Sequence, residues 1–181
     1  MRDTELTDDF VKDFLRETER KWAKSEIDQG VSGFQIQPGT KWNPGLAHEA
    51  IGAYQAALGI EFPNDLVTFL RHANGTNRPT VNVYSNLGYP HKYALGVYCF
   101  PQHLEAIKQR IEQLADGKFL DSLELEGNIL GERPQFIPFF EHRYVLSNGN
   151  LDSSIVCSIH GSDAIVYGSS LKAYLQKEFL S

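Results

Sequence analysis

The residues with the clearest catalytic potential are Cys157 and a histidine base, His142 or His160. A cysteine nucleophile acts as a thiolate, which needs polar or cationic surroundings that lower the pKa of the thiol. Cys157 lies instead between Val156 and Ser158, in an apolar run typical of a buried strand. Because burial raises the pKa of a thiol, we expect an inert core cysteine and no catalytic site.

The sequence lacks the residue spacings that metal sites and phosphate-binding sites require. The chain has six histidines, and none forms an i,i+3 or i,i+4 pair on an expected helix. His48-Glu49 begins like a zinc-protease His-Glu-x-x-His motif, but position 52 is glycine, so the second ligand is missing. The glycine patterns of phosphate loops and dinucleotide sites do not occur in the sequence. We therefore expect neither a metal site nor a cofactor.

Two groups of residues are candidates for binding. His142-Arg143 has two interpretations: Arg143 pairs with an acid such as Asp163 and fixes the end of a sheet, or both side chains line a partner or ligand pocket. Both interpretations fit the sequence. The second group is an aromatic-rich segment, and aromatic residues often carry binding energy at interfaces. Its members are Tyr84, Tyr89, His91 and Tyr93.

A loop tryptophan and an acidic segment are further candidates. Trp42 stands in a Gly- and Pro-rich segment, where it either fills the core, which the burial of tryptophan in proteins favours, or marks a binding surface. Residues 116–135 carry the clearest local excess of negative charge, which indicates a solvated loop or a patch that faces a basic partner. The acidic residues singled out for partner binding are Asp121, Glu124 and Glu126.

The composition indicates one folded domain. The chain has 181 residues, of which 41% are hydrophobic and 12% aromatic, so we expect a sizeable core rather than disorder. The net charge of −6 argues against a general nucleic-acid or anionic-membrane binder and is compatible with a basic protein partner. The two cysteines do not form a Cys-x-x-Cys pair, so no disulfide framework is indicated. The polar N-terminal sequence and the lack of a long apolar run predict a soluble cytoplasmic protein.

Hydrophobic spacing predicts helices first, then strands, then one closing helix, an order that indicates the α+β class. We expect a twisted, mostly antiparallel sheet of about five or six strands. Residues 29–45 are predicted to be a loop, and residues 93–100 fit either a strand or an extended loop. Helices are predicted over residues 7–27, from Pro101 to Gly117 and after a cap at Ser169 or Ser170, and strands over residues 80–84, 136–140, 142–147, 154–159 and 163–167.

Residues 51–75 form the most specific local pattern, two helices joined at a corner. Ile51, Tyr54 and Leu58 recur at helical spacing and give the first helix one apolar face. Gly59 follows directly, where a helix needs a left-handed residue at its end.

The second helix of this corner has equally clear boundaries. Pro63 begins it, because a proline loses no hydrogen bond in a first turn, and Asp65 lies near the positive end of the helix dipole. Asn74-Gly75 is expected to end the helix, because both residues tolerate positive φ.

The pattern of this corner resembles the core signature of the SUKH superfamily, which includes the yeast Smi/Knr-type cell-wall assembly regulators and many bacterial immunity proteins. Residues 136–138, Phe-Ile-Pro, resemble the Ile-Pro that opens the central sheet of that family. Residues 169–175 resemble the start of its last helix, and residues 42–45, Trp-Asn-Pro-Gly, fit its Trp-x-x-Gly loop. The likeness covers roughly residues 40–180.

This resemblance implies a single SUKH-like domain over residues 1–181. Its core spans residues 40–181, and residues 1–39 add a helix and a loop at the N-terminus. The chain departs from the family at residues 142–144, where many members have a turn rich in glycine and aspartate. This departure suggests a divergent branch.

The resemblance further implies a non-enzymatic protein-binding module, a bacterial immunity protein that neutralises a cognate toxin by direct contact. If the toxin is a nuclease, its active face is basic, and an acidic inhibitor associates with such a face quickly. Two alternatives stay open. One is a small-molecule hydrolase or ligand sensor with a pocket lined by Trp42, Tyr89, His142 and Arg143. The other is a regulatory scaffold without a toxin partner.

Overall fold

The computed structural model describes residues 5–84, 92–123 and 127–181, and it confirms the α+β class. In these residues no helix is long and apolar enough to span a membrane. A 3-10 turn covers Leu120–Ser122, and a π-helical turn over Gln176–Leu180 continues the last helix. The α-helices are α1 (Asp8–Trp22), α2 (His48–Leu58), α3 (Asn64–Leu70), α4 (Leu104–Glu112), α5 (Gly127–Leu130) and α6 (Leu171–Leu175).

The described residues contain nine strands, which pair antiparallel in three sheets. They are β1 (Gly33–Ile36), β2 (Trp42–Pro44), β3 (Ala73–Thr76), β4 (Thr80–Val83), β5 (Lys92–Ala94), β6 (Gln135–Phe140), β7 (Arg143–Ser147), β8 (Val156–His160) and β9 (Asp163–Gly168). The largest sheet has the order β6-β7-β8-β9, so each strand pairs with the next in the chain. The other two sheets are β1-β4-β5 and β2-β3. The strands are thus divided among three sheets instead of lying in one of five or six.

Two strands occur where the sequence predicts only a loop. Both β1 and β2 lie within residues 29–45. Strand β1 pairs with β4 from Gly33 opposite Val83 to Ile36 opposite Thr80. The loop prediction was wrong because strands this short depend on their pairing partners more than on local composition.

The two longest predicted helices are shorter in the structure. Helix α1 begins after its cap Thr7, as predicted, but ends at Trp22 instead of residue 27. Helix α4 begins at Leu104 instead of Pro101 and ends at Glu112. Residues 23–24, 101–103 and 113–116 of these segments form turns, which are common continuations of helix ends.

The helix corner has the predicted boundary at Gly59, which adopts the left-handed conformation with φ 66°. Pro63 precedes α3 as its N-cap residue. The predicted end of α3 was wrong: the helix stops at Leu70, and Asn74-Gly75 lies within the fully buried strand β3.

Asn74 and Gly75 instead bring the backbone of residues 97–100 close to β3. The Asn74 side chain donates to the Phe100 carbonyl oxygen at 2.6 Å and accepts from the Phe100 amide at 2.9 Å. Gly75 has φ 74°, and a Cβ at this position would lie only 2.8 Å from the Cys99 Cβ. A glycine is therefore required here by both conformation and space.

Trp42 lies at the centre of the main core and is only 9% exposed. Its Nε1 donates to the Thr18 hydroxyl at 2.8 Å. The indole contacts rings from α1, α3 and the C-terminal turn at centroid distances of 5.1–5.9 Å: Phe14, Trp22, Phe69 and Phe179. Trp42 is a core residue, so its assignment to a binding surface or a ligand pocket is corrected. Because Phe14 and Trp22 belong to α1, the N-terminal helix is part of the same core.

A second, smaller cluster covers the opposite face of the large sheet. Phe119 and Leu123 of the acidic segment are buried there, and the Phe119 ring meets the Phe136 ring at 5.0 Å. Strand alternation places Phe136 and its neighbour Ile137 on opposite faces, and Ile137 belongs to the main core. The acidic segment is thus attached to the sheet by its apolar residues and is not only a solvated loop.

Candidate functional site

An open cleft of about 770 Å³ lies beside the N-terminal ends of α3 and α6. We call it the polar cleft. Most of the residues that line it carry carboxylate, amide or hydroxyl groups. It is lined by Glu5 and Leu6, by Asn64, Asp65 and Thr68 of α3, by residues 150 and 152–154 of the β7–β8 loop, and by Ser169 and Ser170 before α6.

Hydrogen bonds attach the β7–β8 loop to the first turn of α3. The Asn64 amide donates to the Leu151 carbonyl oxygen at 2.8 Å. The Asn64 side chain donates to Asp152 Oδ1 at 3.1 Å. The loop and the helix therefore form one continuous wall of the cleft.

Asp65 is held in place from two sides. Its Oδ1 accepts from the Leu6 amide at 3.1 Å, and its Oδ2 accepts from the Ser154 hydroxyl at 2.5 Å. The Ser154 oxygen in turn accepts from the Leu171 amide at 3.1 Å, at the start of α6. A carboxylate has about four acceptor positions, so Asp65 is oriented by these two bonds and still has acceptor capacity.

The polar cleft carries a net negative charge. Its three carboxylates belong to Glu5, Asp65 and Asp152, and among the described residues no lysine, arginine or histidine forms an ion pair with them. The N-terminal ends of α3 and α6 each contribute at most about half a positive charge. Three carboxylates outweigh these dipoles, so the cleft attracts cations.

A second polar region lies at the turn between β6 and β7. We call Glu141, His142 and Arg143 the Glu141 turn. Glu141 is only 3% exposed and has φ 49°, a left-handed conformation that is rare for residues with a side chain. Its carboxylate accepts from the Gly96 amide at 2.5 Å and from the Thr80 hydroxyl at 2.8 Å. Burial raises the pKa of Glu141, and these two hydrogen bonds oppose that shift.

His142 lies against other rings. Its centroid is 5.6 Å from that of Phe34 and 6.2 Å from that of His160. The pKa of His142 is lowered to about 4, mainly by burial and in smaller part by its electrostatic interactions with Arg143, His160 and Arg110. A ring held neutral in this way packs as an aromatic group.

Arg143 has a structural role, with a partner other than the expected Asp163. Its Nη1 donates to the Ser158 hydroxyl at 2.8 Å, and its Nε lies 3.4 Å from Glu178 Oε2. Its guanidinium carbon lies 3.9 Å from the centroid of the Tyr167 ring. The acid that pairs with Arg143 is thus Glu178 from the C-terminal turn and not Asp163.

Those of the other predicted binding residues that the structure describes do not line the polar cleft. The Tyr84 hydroxyl accepts from the Asn82 side chain at 3.1 Å, and Tyr93 on β5 is 71% exposed. Asp121 is exposed on the 3-10 turn. Four further candidates lie outside the described residues: Tyr89, His91, Glu124 and Glu126.

Cys157 is fully buried, and burial raises the pKa of its thiol to about 12. The predicted core position of Cys157 is therefore confirmed. Burial also raises the pKa of Cys99. Within residues 5–84, 92–123 and 127–181, no group of three or more His, Cys, Asp or Glu side chains could hold a metal ion.

The cleft residues were not identified from the sequence. The helix dipole already accounts for an acidic residue at Asp65, in the first turn of a helix, and Asp152 stands in an ordinary polar turn. A possible signal was that residues 148–154 are rich in Asn, Asp and Ser and that Ser169-Ser170 is equally polar. Nothing in the local sequence, however, indicates that these two segments lie together in the fold. Neither a protein-family model nor a curated protein matches this chain.

Proposed function

We propose that this chain is a non-enzymatic, cytoplasmic binding module that acts by direct contact with a basic protein, as an immunity protein of the SUKH type neutralises its toxin. The observation that carries the proposal is the polar cleft. It is a concave site with oriented carboxylates at Asp65 and Asp152, and cations of the described residues do not neutralise them.

The charge of the whole chain supports a basic partner. The net charge is −6, and Asp121 and Asp163 are exposed on other parts of the surface. An acidic surface increases the association rate with a basic protein, and the increase falls as salt screens the charges. A nuclease toxin has the required basic face, because it must attract phosphate.

The helix corner connects the proposal with the family resemblance. The motif that resembles the SUKH signature includes Asn64, Asp65 and Thr68, and these residues form one wall of the polar cleft. Another resembling segment includes Ser169 and Ser170, which also line the cleft and lie just before α6. Two of the four segments that resemble the family thus also line the polar cleft.

The first test is the gene neighbourhood, where we expect a toxin gene immediately upstream of this chain's gene. The second is a neutralisation assay with the toxin domain that this gene encodes. We expect co-expression of the chain to restore growth, and we expect the two purified proteins to form a complex of fixed stoichiometry in light scattering. The association rate should fall steeply with increasing salt. Unchanged toxicity together with the absence of a complex would overturn the proposed function.

A further inference from the structure

We propose that Asn148-Gly149 is a deamidation site, and that its conversion detaches residues 129–131 from the β7–β8 loop. The sequence contains two Asn-Gly pairs, Asn74-Gly75 and Asn148-Gly149. An asparagine before a glycine is prone to deamidation, because a residue without a side chain lets its amide nitrogen reach the asparagine Cγ with little steric hindrance. The structure places the two pairs in opposite surroundings, and these surroundings decide which pair reacts.

The reaction at Asn148 needs only water. The Gly149 amide nitrogen loses its proton to hydroxide and attacks the Asn148 Cγ, which closes a succinimide ring. The bond between Cγ and Nδ2 breaks, and Nδ2 takes a proton from water and leaves as ammonia. Water then opens the ring: addition at Cγ gives an aspartate, and addition at the main-chain carbonyl carbon gives an isoaspartate, in which the backbone runs through the side chain.

Gly149 is exposed and has free space beside it. It follows β7 with φ 82°. A Cβ at this position would have none of the described residues within 4 Å, apart from its chain neighbours. The site is therefore open to hydroxide and has room for the ring to close.

A backbone amide of the same turn favours the attack. The Asn150 amide donates to Asn148 Oδ1 at 3.0 Å. This oxygen takes up the negative charge when the Gly149 nitrogen adds to Cγ, and a donor that is already in place stabilises that charge. The turn thus polarises the carbonyl group that reacts.

Asn74-Gly75 has the same two residues but is protected. Asn74 is only 6% exposed, and its side chain bonds both the amide and the carbonyl oxygen of Phe100, so ring closure would break both bonds. A Cβ at Gly75 would lie 2.8 Å from the Cys99 Cβ and 2.9 Å from the Val97 carbonyl oxygen, so the ring has no space. This pair can react only when β3 opens.

Conversion of Asn148 removes a contact between two segments. The Asn148 Nδ2 donates to the Ile129 carbonyl oxygen. A Cβ at Gly131 would lie 2.8 Å from the Asn148 carbonyl oxygen, so this segment packs closely on residue 148. A carboxylate cannot donate a hydrogen bond, and its charge repels the Ile129 carbonyl oxygen. Both products therefore release residues 129–131 from the β7–β8 loop.

Peptide mapping by mass spectrometry tests the site. The folded chain is kept in a mildly alkaline buffer, and conversion at the two pairs is followed over time. We expect Asn148 to convert at least about a hundredfold faster than Asn74, because the buried strand must open before Asn74 can react. In a chain unfolded in guanidinium chloride, the two pairs should convert at similar rates.

Two results of this experiment would overturn the inference. One is comparable conversion of Asn74 and Asn148 in the folded chain. The other is an Asn148 that stays intact in the folded chain for a time in which the unfolded chain converts, because the turn would then protect the residue instead of exposing it.

Two matched variants test the release of residues 129–131. Asn148→Asp makes one product directly, and Asn150→Asp makes the same charge change at an exposed position, where the side-chain oxygen that accepts from the Asp152 amide is kept. We expect amide hydrogen exchange of residues 129–131 to become about tenfold faster in Asn148→Asp and to change less than about twofold in Asn150→Asp. Unchanged exchange in Asn148→Asp, or equal effects of the two variants, would contradict the release. Both experiments use the chain alone, so their outcome does not depend on the proposed function.

Discussion

The polar cleft and the Glu141 turn both contain acidic side chains, but they use these charges differently. Glu141 is buried and satisfies internal donors on Gly96 and Thr80. Asp152 is exposed in an open cleft and has one internal bond, from Asn64. A buried charge must be paired, because desolvation without a partner costs several kcal/mol, whereas an exposed charge keeps its water until a ligand replaces it. Burial thus separates charges that hold the fold from charges that can bind a partner.

One part of the interior departs from this pattern. Three buried side-chain atoms around Arg143 make no hydrogen bond to the residues that the structure describes: Arg143 Nε, Tyr174 Oη and Glu178 Oε2. Two of them, Arg143 Nε and Glu178 Oε2, form an ion pair at 3.4 Å. Tyr174 is completely buried, and burial raises its pKa. Removing a buried group that has a hydrogen-bond partner should therefore destabilise the fold, and removing a buried group that has none should stabilise it.

The largest expected effect is at Glu141. In Glu141→Ala, the Gly96 amide and the Thr80 hydroxyl lose their acceptor, and we expect the free energy of unfolding to fall by about 3 kcal/mol. Urea denaturation monitored by circular dichroism measures this change. Glu141→Gln keeps one side-chain oxygen and should lose only about 1 kcal/mol. A loss below about 1 kcal/mol in Glu141→Ala would contradict the role assigned to the buried carboxylate.

The next effect has the opposite sign. Tyr174→Phe removes a buried hydroxyl without a partner, so we expect the free energy of unfolding to rise by about 1 kcal/mol. The matched control is Tyr98→Phe, because the Tyr98 hydroxyl accepts from Arg110 Nε at 3.1 Å. We expect the control to lose about 1 kcal/mol. Destabilisation by both variants would show that the Tyr174 hydroxyl has a partner after all.

A smaller effect depends on pH through His142. Its pKa is about 4 in the folded chain and near 6.5 in the unfolded chain, so only the unfolded state takes up a proton as the pH falls through this interval. The contribution of neutral His142 is present above pH 6.5 and is lost as the pH falls toward 4. Solvent around the half-exposed ring should keep this contribution below about 1 kcal/mol.

His142→Gln isolates that contribution. The wild-type and variant proteins differ only at this side chain, and both keep Glu141 and Arg143. A difference in their acid stability therefore comes from residue 142. We expect the melting temperature of the variant to fall less between pH 6.5 and pH 4. Parallel curves for the two proteins would mean that His142 does not couple folding to protonation.

The smallest stability effect is expected in the polar cleft. Asp152 is exposed, so Asp152→Asn should change the free energy of unfolding by less than about 0.5 kcal/mol. Asp65→Asn should lose about 1 kcal/mol, because an amide nitrogen cannot accept from Leu6 or Ser154. The same urea titration measures both. A large loss of stability in Asp152→Asn would show that Asp152, like Glu141, holds the fold, and the two regions would then not differ in this respect.

Several features of the fold follow from local sequence because neighbouring residues decide them. Thr7, Gly59 and Ser170 are at the helix ends where their side chains or conformations are favourable. The hairpin of β8 and β9 turns at residues 160–163, as predicted. Alternation along β8 also identified Cys157 as a core residue.

Other features could not be predicted because distant residues decide them. The Asn74-Gly75 pair is a good helix end locally, yet it is buried in β3 by its contacts with residues 97–100. Within the acidic segment, Phe119 is needed to cover the large sheet, and charge counting alone does not reveal this.

The sequence by itself determined the α+β class, several helix ends and the later strands, because capping and alternation act over a few residues. Only the tertiary structure decided which charges are internal and which are accessible. Asp65 and Ser154 are 89 residues apart, yet their hydrogen bond helps to form the polar cleft. Glu141 and Gly96 are 45 residues apart and form a bond that is buried. Solvent exposure depends on what the whole chain places around each carboxylate, which no local pattern specifies.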